Sequence, residues 1–82
     1  MIKNPSVVCT ELDEGAVLLN LDSRYYFNLN ETGLRIWQML DETSDSLIIA
    51  QKLSEEYDVA AERSRTSVIR LMQVLEKEEL II

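Results

Sequence analysis

Apolar positions along this chain follow two different periods, and the change falls near Asn30. Before it, they come in short runs. Val7–Leu12 (VVCTEL) is rich in β-branched and apolar types, Ala16–Leu21 (AVLLNL) is a second run, and Tyr25–Leu29 (YYFNL) is a third, dominated by aromatics that favour strands. Asp13-Glu14-Gly15 and Asp22-Ser23-Arg24 separate the runs with turn chemistry, Gly15 being suited to φ > 0. The pattern predicts an antiparallel meander of three strands joined by three-residue turns. A sheet this small cannot bury both faces by itself, so it must pack on helices.

After Asn30 the spacing becomes helical. Asn30 is a good N-cap and Glu31 suits the positive end of a helix dipole. Leu34, Trp37 and Leu40, with Ile36 beside them, predict an amphipathic helix of about 11 residues ending near Asp41. Asp45 or Ser46 can cap a second helix that places Ile49, Ala50, Leu53 and Tyr57 on one face. After a break at Asp58-Val59, a third helix from Ala60 to Glu78 carries Val68, Leu71, Met72 and Leu75 on one stripe. The apolar tail Leu80-Ile81-Ile82 is expected to fold back onto the core. Three strands followed by three short helices define an α+β class, winged helix-turn-helix-like in outline.

Composition narrows the function. Residues 1–82 fit a single domain, with 15 Asp+Glu against 8 Lys+Arg, a formal charge of −7 and no histidine. A His-assisted nucleophile, a His-liganded metal and a Cys–His pair are excluded within the chain. The single Cys9 cannot form an internal disulfide or, alone, a thiolate metal site. No secretory segment or bilayer-length apolar run is present, so a cytoplasmic location without membrane association is expected. The acidic balance weighs against nucleic acid, whose binding depends on phosphate neutralisation.

Few constellations stand out from this background. Cys9, within VVCTEL, reads as a small hydrophobe facing the core, because neither a helix N-terminus nor a nearby cation is visible to activate it. Asp13-Glu14-Gly15 falls short of a calcium loop and reads as a solvated turn. Tyr25-Tyr26-Phe27 is more informative: in a strand, Tyr25 and Phe27 point to one face and Tyr26 to the other. The exposed ring either covers a sheet edge or borders a peptide groove, and the pattern alone leaves both open. No acidic residue lies between Arg63 and Leu75. At 100° per residue, Arg63, Ser67, Arg70 and Val74 share one flank of the core stripe, with Leu71 bridging flank to core. The stretch, with Arg63, Arg65 and Arg70, is either three solvated arginines that balance the acidic helices or an interaction surface. Three arginines on an acidic domain are weak credentials for DNA.

The stretch VLLNLDSRYYFNLNETG (Val17–Gly33), followed by Ile36-Trp37 and Leu40, resembles the PqqD-like family, and the continuation to the final Leu-Ile matches as well. Its most specific part is Tyr26–Asn30 with Trp37. Arg24 stands where members often have Gly, and Asn28 where they often have a small residue. The resemblance implies a recognition element for ribosomally made, modified peptides, a non-catalytic chaperone without cofactor or metal. Its partners would be the leader of a precursor peptide and a modifying enzyme, a radical-SAM protein or a leader peptidase. The leader is expected to add as a strand to the third strand and lie against the last helix. Carried over, the peptide-binding residues are Tyr25, Tyr26, Phe27, Asn28, Arg63, Ser67, Arg70, Leu71 and Val74. Monomer and homodimer are both open. The alternative reading is a winged-helix DNA-binding transcription regulator.

Overall fold

Asn30 ends the sheet and starts the helices in one residue: its Oδ1 accepts the Gly33 N–H at 2.7 Å. A computed structural model describes residues 2–82 as β1 (Val7–Leu12), β2 (Gly15–Asn20), β3 (Tyr26–Asn30), α1 (Glu31–Met39), α2 (Ser46–Tyr57) and α3 (Ala61–Lys77). The sheet is antiparallel in the order β1-β2-β3. The expected α+β class of three antiparallel strands followed by three helices is therefore observed.

Several boundaries differ from the expectation. The first turn has two residues, because Gly15 joins β2. With φ +158 it brings β2 so close to β3 that an added Cβ would drive into the Leu29 carbonyl oxygen. The second connection is longer than three residues because buried Asn20 organises it. The Asn20 Oδ1 accepts the N–H groups of Asp22 at 2.9 Å and Ser23 at 3.3 Å. Arg24 then takes φ +65, the left-handed region, where glycine is the usual residue. Tyr25 consequently precedes β3. Helix α1 has 9 residues, not about 11, since the chain leaves the helix through a turn at Leu40–Thr43.

The helices cover one face of the sheet and build two apolar clusters. One joins Ala16, Leu18 and Leu29 of the sheet to Trp37, Leu75, Leu80 and Ile81. The other joins Ile36, Met39, Ile49, Ala50, Leu53, Val68 and Met72 of the three helices. Leu40 and Leu71 pack against both. Tyr57, expected on the buried face of α2, is exposed, because at the last residue of the helix it lines an open concavity with Val59 and Arg63 and is not packed in the core. Asp58 there adopts the left-handed conformation that closes α2.

The tail folds back as expected. The Leu80 N–H donates to Leu75 O at 2.8 Å and the Glu79 N–H to Glu76 O at 3.0 Å, with Glu79 left-handed at φ +58. This is a Schellman closure with the customary apolar contact between the residues at its ends, buried Leu75 and Leu80. It satisfies the last carbonyls of α3 without a cation, so exposed Glu76 in the last turn and Glu78 and Glu79 after it face a closed end. Ile2 and Ile82 exchange both backbone hydrogen bonds at 2.7 Å, and the Asn4 N–H reaches Leu80 O at 3.0 Å. Lys3 Nζ lies 4.5 Å above the Trp37 ring and 2.9 Å from Asp41 Oδ1, clamping the N-terminal segment over α1.

Candidate functional site: the open edge of β3 and the groove beside α3

Hydrogen bonds to the central strand decide which groups of β3 are free. The Asn20 N–H donates to Tyr25 O at 3.0 Å on the β3 side of β2, and the Leu21 N–H donates to Ser6 O at 2.9 Å on the β1 side. Pairs alternate between bonded and non-bonded in an antiparallel ladder. With the register Leu19↔Tyr26, Leu18↔Phe27, Val17↔Asn28 and Ala16↔Leu29, the bonded residues of β3 are Phe27 and Leu29. The N–H and C=O groups of Tyr26 and Asn28 therefore point away from the sheet along an open edge. The side chains alternate too. Phe27 and Leu29 turn toward the helices, and Tyr26 and Asn28 toward the uncovered face.

A groove of about 360 Å³ runs beside this edge. Its sheet wall is Phe27–Asn30, its floor is Thr32, Gly33 and Ile36 in the first turns of α1, and its far wall is Ser67 and Leu71 of α3. Thr32 and Ser67 also belong to a second concavity of about 310 Å³, closed by Leu53, Tyr57, Val59, Arg63 and Ser64. Buried Ser64 donates its hydroxyl to Ala50 O at 2.6 Å, holding α3 against α2 and setting where the far wall stands.

The structure brings together four of the residues singled out in the sequence: Phe27, Asn28, Ser67 and Leu71 line the groove. Arg63 lines the adjoining concavity. Half-buried Val74 lies about one turn beyond Leu71 and two beyond Ser67 on the same flank. Arg70 lines a shallow depression with Arg65, Thr66, Ile69 and Gln73, further round α3. Tyr25 and Tyr26 line neither cavity, and both rings are exposed. Asn30, Thr32, Gly33 and Ile36 were not singled out. Their signal was the sheet-to-helix junction itself, since a chain that turns from β3 straight into α1 must place the first helical turn under the strand.

Burial pushes the Cys9 thiol up from its ordinary value, Glu11 adds to this and Lys3 opposes it, so the thiol is held protonated. Half-buried Cys9 packs against the sheet cluster, as its place in β1 suggested. No group of three His, Cys, Asp or Glu side chains able to hold a metal occurs among the described residues. Among the described residues, no helix is long and apolar enough to cross a membrane.

An open strand edge beside a groove with a helical far wall is the geometry that addition of an extended segment as a further strand requires. The chain belongs to the family of coenzyme PQQ synthesis protein D (PqqD), whose model matches residues 15–81. Two solved structures are similar to it. TbiB1 in complex with the TbiA(beta) leader peptide is 30% identical, with a TM-score of 0.87 over 98% of this chain and 93% of that one. A lasso peptide synthetase B1 complexed with the leader peptide is 29% identical, with a TM-score of 0.81 over 93% and 89%. No curated protein sequence matches the chain.

Proposed function

We propose that this chain is a non-catalytic peptide chaperone that binds the leader of a ribosomally made precursor and presents it to a modifying enzyme, a radical-SAM protein or a leader peptidase. The observation that carries the reading is the open edge of β3 beside the groove walled by Ser67 and Leu71. Membership of the PqqD family, and the leader peptides bound by TbiB1 and the lasso peptide synthetase B1, support it.

In this reading the leader pairs antiparallel or parallel with β3 through the free groups of Tyr26 and Asn28. Each such bond is worth about 0.5–1.5 kcal/mol net. Binding at about 1 µM needs about −8 kcal/mol, so apolar anchors must add to the ladder. Every second leader side chain then enters the groove against Phe27, Ile36 and Leu71. Tyr25 and Tyr26 flank the added strand, and Val74 extends the far wall. Arg63 and Arg70 bracket the helical flank in an acid-free stretch and favour acidic leader residues.

Titration of a fluorescently labelled leader peptide, and separately of a labelled duplex DNA, tests the reading. Saturable peptide binding that weakens in Arg70→Glu and Val74→Asp, with the fold retained, is expected. Salt-sensitive DNA binding without peptide binding would replace it with a transcription regulator.

A further inference from the structure

The helices cover only one face of the sheet. Side chains alternate across it, so Val8, Thr10 and Leu12 of β1, Val17 and Leu19 of β2 with Leu21 beyond it, and Tyr26 and Asn28 of β3 all project from the other. None of these eight is charged in a chain of net charge −7, and six are apolar. Val8 is 47% exposed, Leu12 57%, Leu21 54% and Tyr26 73%. Val8, Leu19 and Tyr26 stand side by side across the three strands. The largest apolar patch on a small domain is often a functional surface, and this one is free of charge throughout.

We infer that this face pairs with the same face of a second copy, the two sheets stacking with their strands antiparallel. The charges at the ends of the sheet select both partner and alignment. The β1–β2 turn carries Asp13 and Glu14, and the β2–β3 connection at the opposite end carries Asp22 and Arg24. All four are exposed, and none forms an intramolecular ion pair among the described residues. Stacking with parallel strands sets the doubly acidic turn on its own copy. Antiparallel stacking sets it on the end that carries Arg24, bringing Asp13 and Glu14 within reach of the partner's Arg24 at both ends of the interface. This alignment keeps β3 over β3, so both open edges lie on one side of the dimer and stay free for peptide.

The size of the face sets the strength. Three strands about 4.8 Å apart and six residues long at about 3.4 Å give a footprint of about 300 Å². That is well below the roughly 800 Å² of surface that each partner buries in a stable complex, so the pair exchanges rapidly with monomer and forms only at high concentration. Flat stacking of two sheets at a small angle is the packing of β-sandwiches.

Sedimentation equilibrium of the full chain from about 20 µM to about 2 mM, in about 150 mM salt so that repulsion is screened beyond about 8 Å, is the test. A monomer–dimer equilibrium is expected. It should be lost in Leu19→Asp and in Val8→Lys, two variants so that a folding defect in one does not decide the matter. It should weaken at least threefold in Arg24→Glu and recover in the double variant Glu14→Arg/Arg24→Glu. Leader binding measured on the same variants should be unchanged, which separates this inference from the peptide reading. A chain that stays monomeric throughout, or a dimer that survives Leu19→Asp, overturns the inference. So does a dimer that leader peptide dissolves, since it would pair through the β3 edge. A dimer indifferent to the charge reversal overturns the antiparallel alignment.

Discussion

The hydroxyl of Ser64 in α3 donates a 2.6 Å hydrogen bond to the carbonyl of Ala50 in α2, and both residues are buried. A side chain larger than serine would force the helices apart here, and with them the far wall of the groove. Ser64→Ala removes the bond while fitting the space. A loss of about 1–2 kcal/mol in urea unfolding is expected, with Tm lower by about 4–8 °C per kcal/mol for a domain of this size. Ser64→Leu should cost more and also weaken peptide binding, because Ser67 and Leu71 move with the helix.

The alternation of β3 allows a backbone test of strand addition. Proline lacks the N–H. At Asn28 the missing group points to the open edge, whereas at Phe27 it bonds β2. Asn28→Pro is expected to keep its unfolding free energy in urea titrations within about 1 kcal/mol of the parent, as edge strands tolerate proline, and to lose at least tenfold in leader affinity by fluorescence anisotropy. Phe27→Pro breaks the ladder and empties a core-facing aromatic site, at a cost above about 3 kcal/mol.

Arg24 and Asp58 hold left-handed backbone at φ +65 and +51. Such conformations cost a side-chain-bearing residue about 1–2 kcal/mol that glycine avoids. Arg24→Gly and Asp58→Gly should each stabilise the chain by about 0.5–1 kcal/mol. The effects should add, since the sites lie in separate connections. Calorimetric melting of the two single variants and the double variant checks this.

Arg35 grips Glu56 through Nε–Oε1 at 2.8 Å and a second bond to Oε2 at 3.0 Å, tying α1 to α2. The hydrogen bond from Arg35 holds the Glu56 carboxyl below its ordinary value. A lowered folded-state pKa gives stability that is present above the ordinary glutamate value and is lost as pH falls through the lowered one. Glu56 is more than a third exposed, so solvent screening keeps the contribution to about 0.2–1 kcal/mol. Glu56→Gln should therefore be slightly less stable than the parent at neutral pH, and the gap should close on acidification and on adding salt.

The order of elements and most of the core were legible because period two and period 3.6 change over at Asn30, where the capping side chain marks the boundary. Two buried polar residues were not picked out, although both had a signal. Asn20 shares strand parity with Ala16 and Leu18, and Ser64 shares the stripe of Val68 and Leu75, which placed each inward. Their partners, the Glu79 and Ala50 carbonyls, come from segments 59 and 14 residues away, and no local pattern announces those. The flank of α3 was legible from the helical wheel. Its division into groove wall at Ser67 and Leu71 and outer surface at Arg70 was not, because that depends on how far β3 and the first turn of α1 reach toward the helix.

The open edge of β3 also bears on how long a molecule survives. A ligand held only by the folded state adds stability by mass action, about 2.7 kcal/mol at a hundredfold excess over its Kd. Copies with a peptide laid along Tyr26 and Asn28 would unfold about a hundred times less often than empty ones, and proteases act on the unfolded chain. The abundance of the carrier would then follow the supply of its peptide, with no regulator beyond the missing strand itself.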